Sequence, residues 1–204
     1  MSCSRDATVK FWDLETGHCG STVGSGDWLR CIDVSADGLF VATGGNEKVV
    51  LVLEASTGRV AHELSGHEHF IQCLSFSKRL ATRGGVASGG TSEAEPAAES
   101  RVVLLASGAR DSTVIVWNVA LGEILFTFRE HTNWVNDVVF TKDGKYIMSC
   151  SDDRSIKVMD VAKRRRVRDL ESAHEHFVTS LAPMPSIGRL ASGGADKELR
   201  LWEC

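Results

Sequence analysis

No apolar run in this 204-residue chain approaches the roughly 20 residues that a membrane helix needs. The first residues also lack the apolar core of a secretory signal. Six cysteines stand at positions 3, 19, 31, 73, 150 and 204, yet none forms a C-x-x-C pair, so no spacing supports a metal centre. Several fall in strand-like contexts, where a free thiol behaves as a small buried hydrophobe. With no mark of secretion, this cysteine usage predicts a reducing, intracellular compartment. An excess of positive charge is missing too. The formal net charge of −4 argues against a general nucleic-acid binder. What remains, 43% apolar and 25% charged residues, is an ordinary globular composition.

What is present is repetition. Ala106 to Asn118 (ASGARDSTVIVWN) has imperfect copies at Ser2–Asp13 (SCSRDATVKFWD), Thr43–Glu54 (TGGNEKVVLVLE), Ser149–Asp160 (SCSDDRSIKVMD) and Ser192–Glu203 (SGGADKELRLWE). The bulky residues that end the copies are Trp12, Leu53, Trp117, Met159 and Trp202, spaced 41, 64, 42 and 43 residues apart. A second landmark stands upstream: Ser25, His131 and His174 each precede a turn acid (Glu47, Asp153, Asp196) by 22 residues, and His67 precedes Asp111 by 44. A period of about 40–45 residues closing on a Trp-Asp-like pair marks the blades of a WD40 propeller. The long step predicts an insertion, placed at residues 78–101. Its Gly-, Ser-, Ala- and Glu-rich composition predicts a mobile surface loop.

The predicted fold is all-β, an incomplete WD40 propeller. Whole blades are expected over 26–66, 67–130 and 131–173, with partial blades over 1–25 and 174–204. Short apolar inner strands begin near Trp28, Phe70, Trp134 and Phe177. Asp37-Gly38 and Asp143-Gly144 predict tight hairpin turns. The strand inventory predicts a truncated part of a larger ring, because the first blade lacks an inner strand and the last an outer one.

Each period brings together a histidine, a hydroxyl, an acid and a closing aromatic. The sets are His67, Ser107, Asp111 and Trp117; His131, Ser149 and Asp153; and His174, Ser192, Asp196 and Trp202. Ser, His and Asp invite a catalytic-triad reading. A nucleophile, however, would occur once, and neither an elbow nor an oxyanion motif accompanies these sets. They are expected to be structural hydrogen-bond networks, with no catalytic residue. His67/His69 and His174/His176 could each place two imidazoles on one strand face, but no third ligand accompanies them, so neither metal nor cofactor is expected. The basic run Lys163–Arg168 is expected to be a solvated approach to an outer strand rather than a nuclear localisation patch.

The functional signal lies on one rim. Arg5, Asn46, Arg110, Asp152 and Ala195 precede the turn acids. Trp28, Phe70, Trp134 and Phe177 open the inner strands, with Arg30 and Arg154 beside them. Arginine interleaved with aromatics is the composition of protein-interaction hot spots.

At SCSRDATVKFWDLETGHC, SGDWLRC, the HEHF at His67, LLASGARDSTVIVWNVALG, HTNWVNDVVF, GKYIMSCSDDRSIKVMD and AHEHFVTSL, the chain resembles the lissencephaly-1 / nuclear distribution protein F family. That family is also described as the non-catalytic regulatory subunit of platelet-activating-factor acetylhydrolase. The resemblance implies a seven-bladed propeller that binds the motor domain of the dynein heavy chain and other nuclear distribution proteins, in the cytoplasm and on microtubules. It implies a motor-binding face at Arg5, Arg30, Arg110, Trp134 and Arg154, where Arg154 replaces the family's lysine. The family's N-terminal dimerisation segment has no counterpart in this sequence. Neither nucleic-acid binding nor membrane insertion is expected.

Overall fold

The computed structural model describes residues 1–78, 81–82, 101–186 and 188–203, and every regular element among them is a β-strand. Five antiparallel sheets succeed one another along the chain, each a blade. The first holds β1 (Ser2–Cys3), β2 (Thr8–Trp12) and β3 (Cys19–Gly24). The second holds β4 (Leu29–Val34), β5 (Phe40–Gly45), β6 (Val49–Glu54) and β7 (Val60–Ser65). A two-stranded ribbon, β9 (Ala81–Thr82) with β10 (Arg101–Val102), sits within the third blade's stretch of chain. That blade itself holds β8 (Ile71–Phe76), β11 (Leu104–Ala109), β12 (Val114–Asn118) and β13 (Glu123–Phe128). The fourth holds β14 (Val135–Phe140), β15 (Tyr146–Ser151), β16 (Ile156–Asp160) and β17 (Arg165–Leu170), and the fifth β18 (Val178–Met184), β19 (Arg189–Gly194) and β20 (Leu199–Glu203). The expected insertion at 78–101 lies outside the described residues, apart from Lys78, Ala81, Thr82 and Arg101.

Sequence dictates which strands go inside. LLASGA and VIVWN, in β11 and β12, are buried at every position, as their near-continuous apolar runs require. RRVRDL in β17 is exposed over its first four residues. The apolar core lies between blades rather than within any one. Val50, Val52 and Leu64 of the second blade pack with Ile71, Leu105, Ile115 and Trp117 of the third. Val116 and Phe128 pack with Val135, Phe140 and Ile147 of the fourth, and Met148 and Ile156 with Val178, Leu181 and Leu190 of the fifth. Each such Leu, Ile or Val contributes about 1.5–3 kcal/mol on burial. Stability is therefore a sum over neighbouring pairs of blades.

Polar links cross the same seams. Asp33 Oδ2 accepts the N–H of Phe76 at 2.7 Å, Ser75 Oγ that of Phe140 at 3.3 Å, and Asp137 Oδ2 that of Leu181 at 2.8 Å. Burial raises the Asp137 carboxyl, opposed by the N–H groups of Leu181 and Val138.

Asp37-Gly38 and Asp143-Gly144 turn the chain between the first and second strands of their blades, with positive φ at Gly38 (72°) and Gly144 (69°), inside five-residue loops over residues 35–39 and 141–145. Asp37 and Asp143 brace these loops, each accepting a hydroxyl at 2.6 Å, from Ser35 and Thr141.

Candidate interaction rim

The recurring Ser, His and Asp close into networks inside the blades. In the third blade His67 Nδ1 lies 2.9 Å from Asp111 Oδ2, and Nε2 lies 2.7 Å from Ser107 Oγ. Trp117 Nε1–H donates to that same Oγ at 2.8 Å. One proton assignment satisfies every group: Nδ1–H donates to the carboxylate, the Ser107 hydroxyl donates to Nε2, and its oxygen accepts from Trp117. His174, Asp196, Ser192 and Trp202 repeat this arrangement in the fifth blade, at 2.9, 2.7 and 2.8 Å. In the fourth, His131 meets Asp153 and Ser149, both at 2.8 Å, and Met159 leaves out the last bond. The first keeps only Trp12 Nε1–H to Ser2 Oγ, at 2.9 Å. The second has Ser25, Thr43, Glu47 and Leu53 at these places. Its Thr43 hydroxyl turns to the Cys31 carbonyl at 3.0 Å, and Ser25 Oγ is buried with no partner.

Burial raises the Asp111 and Asp153 carboxyls, but hydrogen bonds from the paired His and from Thr113 or Ser155 outweigh it and hold both well below the usual range. The same acids fold the turns: Asp111 Oδ1 accepts Thr113 N–H and Asp153 Oδ1 accepts Ser155 N–H. Each turn then passes through a left-handed residue, Ala7, Lys48, Ser112, Arg154 or Lys197, with φ between 62° and 68°. Ser107 and Ser149 are fully buried. A hydroxyl so placed, already holding an imidazole and in Ser107 an indole, presents no face to a substrate carbonyl.

The rim is built by a different device, repeated in four blades. One residue of each inner strand is extra in the pairing: Arg30, Gln72, Asn136 and Thr179 are skipped between β4 and β5, β8 and β11, β14 and β15, and β18 and β19. Such a bulge re-aims a side chain. Just before it, the carbonyl of each rim aromatic accepts a backbone N–H from the turn: Trp28 from Asn46 at 3.0 Å, Phe70 from Arg110 at 3.0 Å, Trp134 from Asp152 at 3.0 Å and Phe177 from Ala195 at 2.8 Å. Bulge residue, aromatic and turn residue thus emerge side by side. The aromatic's own N–H is capped by the preceding side chain, Asp27, His69, Asn133 or His176, at 2.6–2.9 Å. This accounts for the two HxH pairs. The first His of each joins a blade network and the second caps the rim.

Side chains then interleave across blades. The Arg5 guanidinium lies 5.4 Å from the Trp28 ring. Arg30 and Arg110 each lie 5.7 Å from the Phe70 ring, and Arg110 lies 4.0 Å from Trp134. Arg30 also donates from Nε to Asn46 Oδ1 at 3.0 Å. Burial lowers the Arg30 guanidinium from its ordinary value, and Arg110 and Arg5 push it the same way, although an arginine stays charged. Trp28, Trp134 and Phe177 remain exposed. The structure thus brings Arg30, Arg110 and Trp134 into one ladder through Phe70, with Arg5 on Trp28 close enough to repel Arg30. Arg154 is exposed, in the left-handed conformation, two positions beyond the place that Arg110 holds in its own turn, and takes part in no ring contact or ion pair among the described residues. Asp152 holds the place of Arg110 in the fourth blade and accepts Asn136 Nδ2–H at 2.6 Å. Sequence reasoning missed the bulge residues Gln72, Asn136 and Thr179.

Residues 122–160 and 165–203 match the WD domain, G-beta repeat family. The nuclear distribution protein nudF of Emericella nidulans is 37% identical over 194 residues, covering 91% of this chain and 42% of the relative. PAC1 of Coccidioides posadasii is 35% identical over 188 residues, covering 91% and 40%. PAC1-2 of Uncinocarpus reesii is 33% identical over 202 residues, covering 97% and 43%. The chain is built of WD40 repeats and is similar, over about nine tenths of its length, to nuclear distribution proteins of the nudF and PAC1 type. It spans about two fifths of the length of these curated relatives. In this WD40 array the blade networks belong to the repeat, whereas the ladder is a property of these particular blades.

Proposed function

We propose that this chain is a non-enzymatic interaction scaffold acting in nuclear distribution, and that its rim binds the cytoplasmic dynein motor. The observation that carries the reading is the ladder Arg30–Phe70–Arg110–Trp134. Cationic and aromatic side chains converge there on backbone held by bulges, away from the networks that hold the blades together. Arginine and tryptophan dominate binding hot spots because each couples a large contact area with directed donors. The relatives' names supply the process, and the family resemblance supplies the motor, the cytoplasmic location and the association with microtubules. A cationic rim on a chain of net charge −4 is also a local field that steers an acidic partner. The test is a binding assay with purified dynein motor domain. Arg110→Ala with Trp134→Ala is expected to weaken binding at least tenfold with an unchanged urea midpoint. Unchanged affinity overturns the assignment of this face.

A further inference from the structure

Resting on the reading of the rim as the partner surface, we propose that Arg5, Arg30 and Arg110 form a site for a phosphate-type dianion, so that the preferred partner segment carries a phosphorylated residue among its acids.

Three observations point there. First, the three cations are unneutralised: no ion pair among the described residues involves any of them, although eleven such pairs occur elsewhere. Asp27 attracts Arg30, and its Oδ1 already accepts the N–H of Trp28 at 2.6 Å. Asp152 is held by Asn136. Second, Arg110 Nε is buried with no hydrogen-bond partner. A buried guanidinium donor left unmade is costly, and a ligand oxygen that accepted from it would remove that cost. Third, Arg30 and Arg110 flank one ring. Each guanidinium carbon lies 5.7 Å from the Phe70 centroid, so the two are at most twice that distance apart. A tetrahedral oxyanion has acceptors pointing in several directions, so it can take charge-assisted bonds of about 2.8 Å from two guanidiniums that lie within this bound on the same side of the ring. The aromatic rings hold the guanidiniums in place, so little side-chain freedom remains to be lost on binding.

Charge decides between the candidate anions. Three cations that form no ion pair among the described residues match a phosphomonoester, with about −1.5 to −2 charge at pH 7 and three acceptor oxygens. A single glutamate brings one charge and two oxygens.

The test follows the Arg Nε–H and Trp Nε1–H signals of the full chain by NMR at fixed ionic strength. The probes are inorganic phosphate, the capped tripeptide Glu-phosphoserine-Glu, and its Glu-Glu-Glu counterpart. The phosphotripeptide is expected to shift the Arg30, Arg110 and Trp134 signals saturably, at a concentration at least tenfold below that needed for the all-glutamate peptide. Arg30→Gln and Arg110→Gln are expected to remove that advantage, and Arg30→Lys, which keeps the charge but not the planar fork, to restore part of it. Inorganic phosphate acting as well as the phosphotripeptide overturns recognition of a partner's phosphorylated residue. Equal half-saturation for the two peptides overturns the dianion site while leaving an acidic-partner rim intact. No rim response to any probe overturns the site; loss of motor binding in the Arg110/Trp134 variant would then show that the rim reading survives without it.

Discussion

Replacing Asp111 with Asn tests the account of the blade networks most directly. The carboxylate accepts four hydrogen bonds: from His67 Nδ1 at 2.9 Å, Glu68 N–H at 2.8 Å, Thr113 N–H at 3.0 Å and the Thr113 hydroxyl at 2.7 Å. Its side chain is only 8% exposed, so water cannot substitute for lost partners. An amide has one acceptor oxygen, and its NH₂ group must then face donors. Losing two bonds to a charged acceptor, each worth about 1.5–3 kcal/mol, predicts a loss of about 3 kcal/mol at pH 7. The pH dependence has a definite sign. Hydrogen bonding holds the folded carboxyl below its ordinary value of about 3.9, so the unfolded state binds the proton first on acidification. The contribution is therefore fully present above about pH 5 and fades as pH falls toward the depressed folded value. The assay is urea unfolding followed by the fluorescence of Trp117, which is 1% exposed. Wild type and Asp111→Asn are compared at pH 7, 5, 4 and 3. The gap in stability should be constant down to pH 5 and narrow at pH 4 and 3. A gap below about 1 kcal/mol at pH 7, or one that does not narrow, refutes the reasoning.

The second blade offers the converse experiment. Ser25→His, Thr43→Ser and Glu47→Asp together rebuild the His–Ser–acid trio beside a cavity lined by Gly24, Gly26, Val49 and Glu63. The triple variant should gain about 1–2 kcal/mol in urea unfolding, from two added bonds and a partner for the orphaned polar site. Gly45→Ala should cost at least about 2 kcal/mol and disturb the Trp28 indole signal in NMR, because a Cβ there would run into the Trp28 carbonyl and the Leu29 Cα. Asn136→Ala removes bonds to Asp152 at 2.6 Å and to the Val178 carbonyl at 2.8 Å. It should cost about 1–2 kcal/mol and speed amide hydrogen exchange at the seam between the fourth and fifth blades.

Much of the architecture was legible because its cause is local. The acid of each turn, the apolar runs of β11 and β12 and the bulky residue ending each third strand are one-dimensional signals at a fixed period. Grouping His67 with Ser107 and Asp111 needed only that period, even across the insertion. Bulges are a different matter. Arg30, Gln72, Asn136 and Thr179 are all polar, as many other residues of the chain are; what sets them apart is a skipped place in strand pairing, which appears only when two strands are laid side by side. Arg154 differs from Arg110 in a way that the linear sequence does not display: it follows its turn acid, at a left-handed φ of 68°, whereas Arg110 precedes its own. The Asp-Gly dipeptides located the turns, whereas the five-residue length depends on a side-chain brace that a dipeptide rule omits.

The bulge and the carbonyl bond that follows it have one more implication. The second blade has lost every member of the His–Ser–Asp–Trp set, and the fourth has methionine for tryptophan, yet both keep the skipped residue and the bond from turn N–H to aromatic carbonyl. The platform that displays the rim is thus written in main-chain geometry and is indifferent to the chemistry beneath it. Most of the positions it displays can be exchanged without touching what keeps the blade folded; Asn136, which also bonds the Val178 carbonyl of the next blade, is an exception. Duplicated blades can in this way drift toward new partners, one address at a time, on a scaffold that does not register the change.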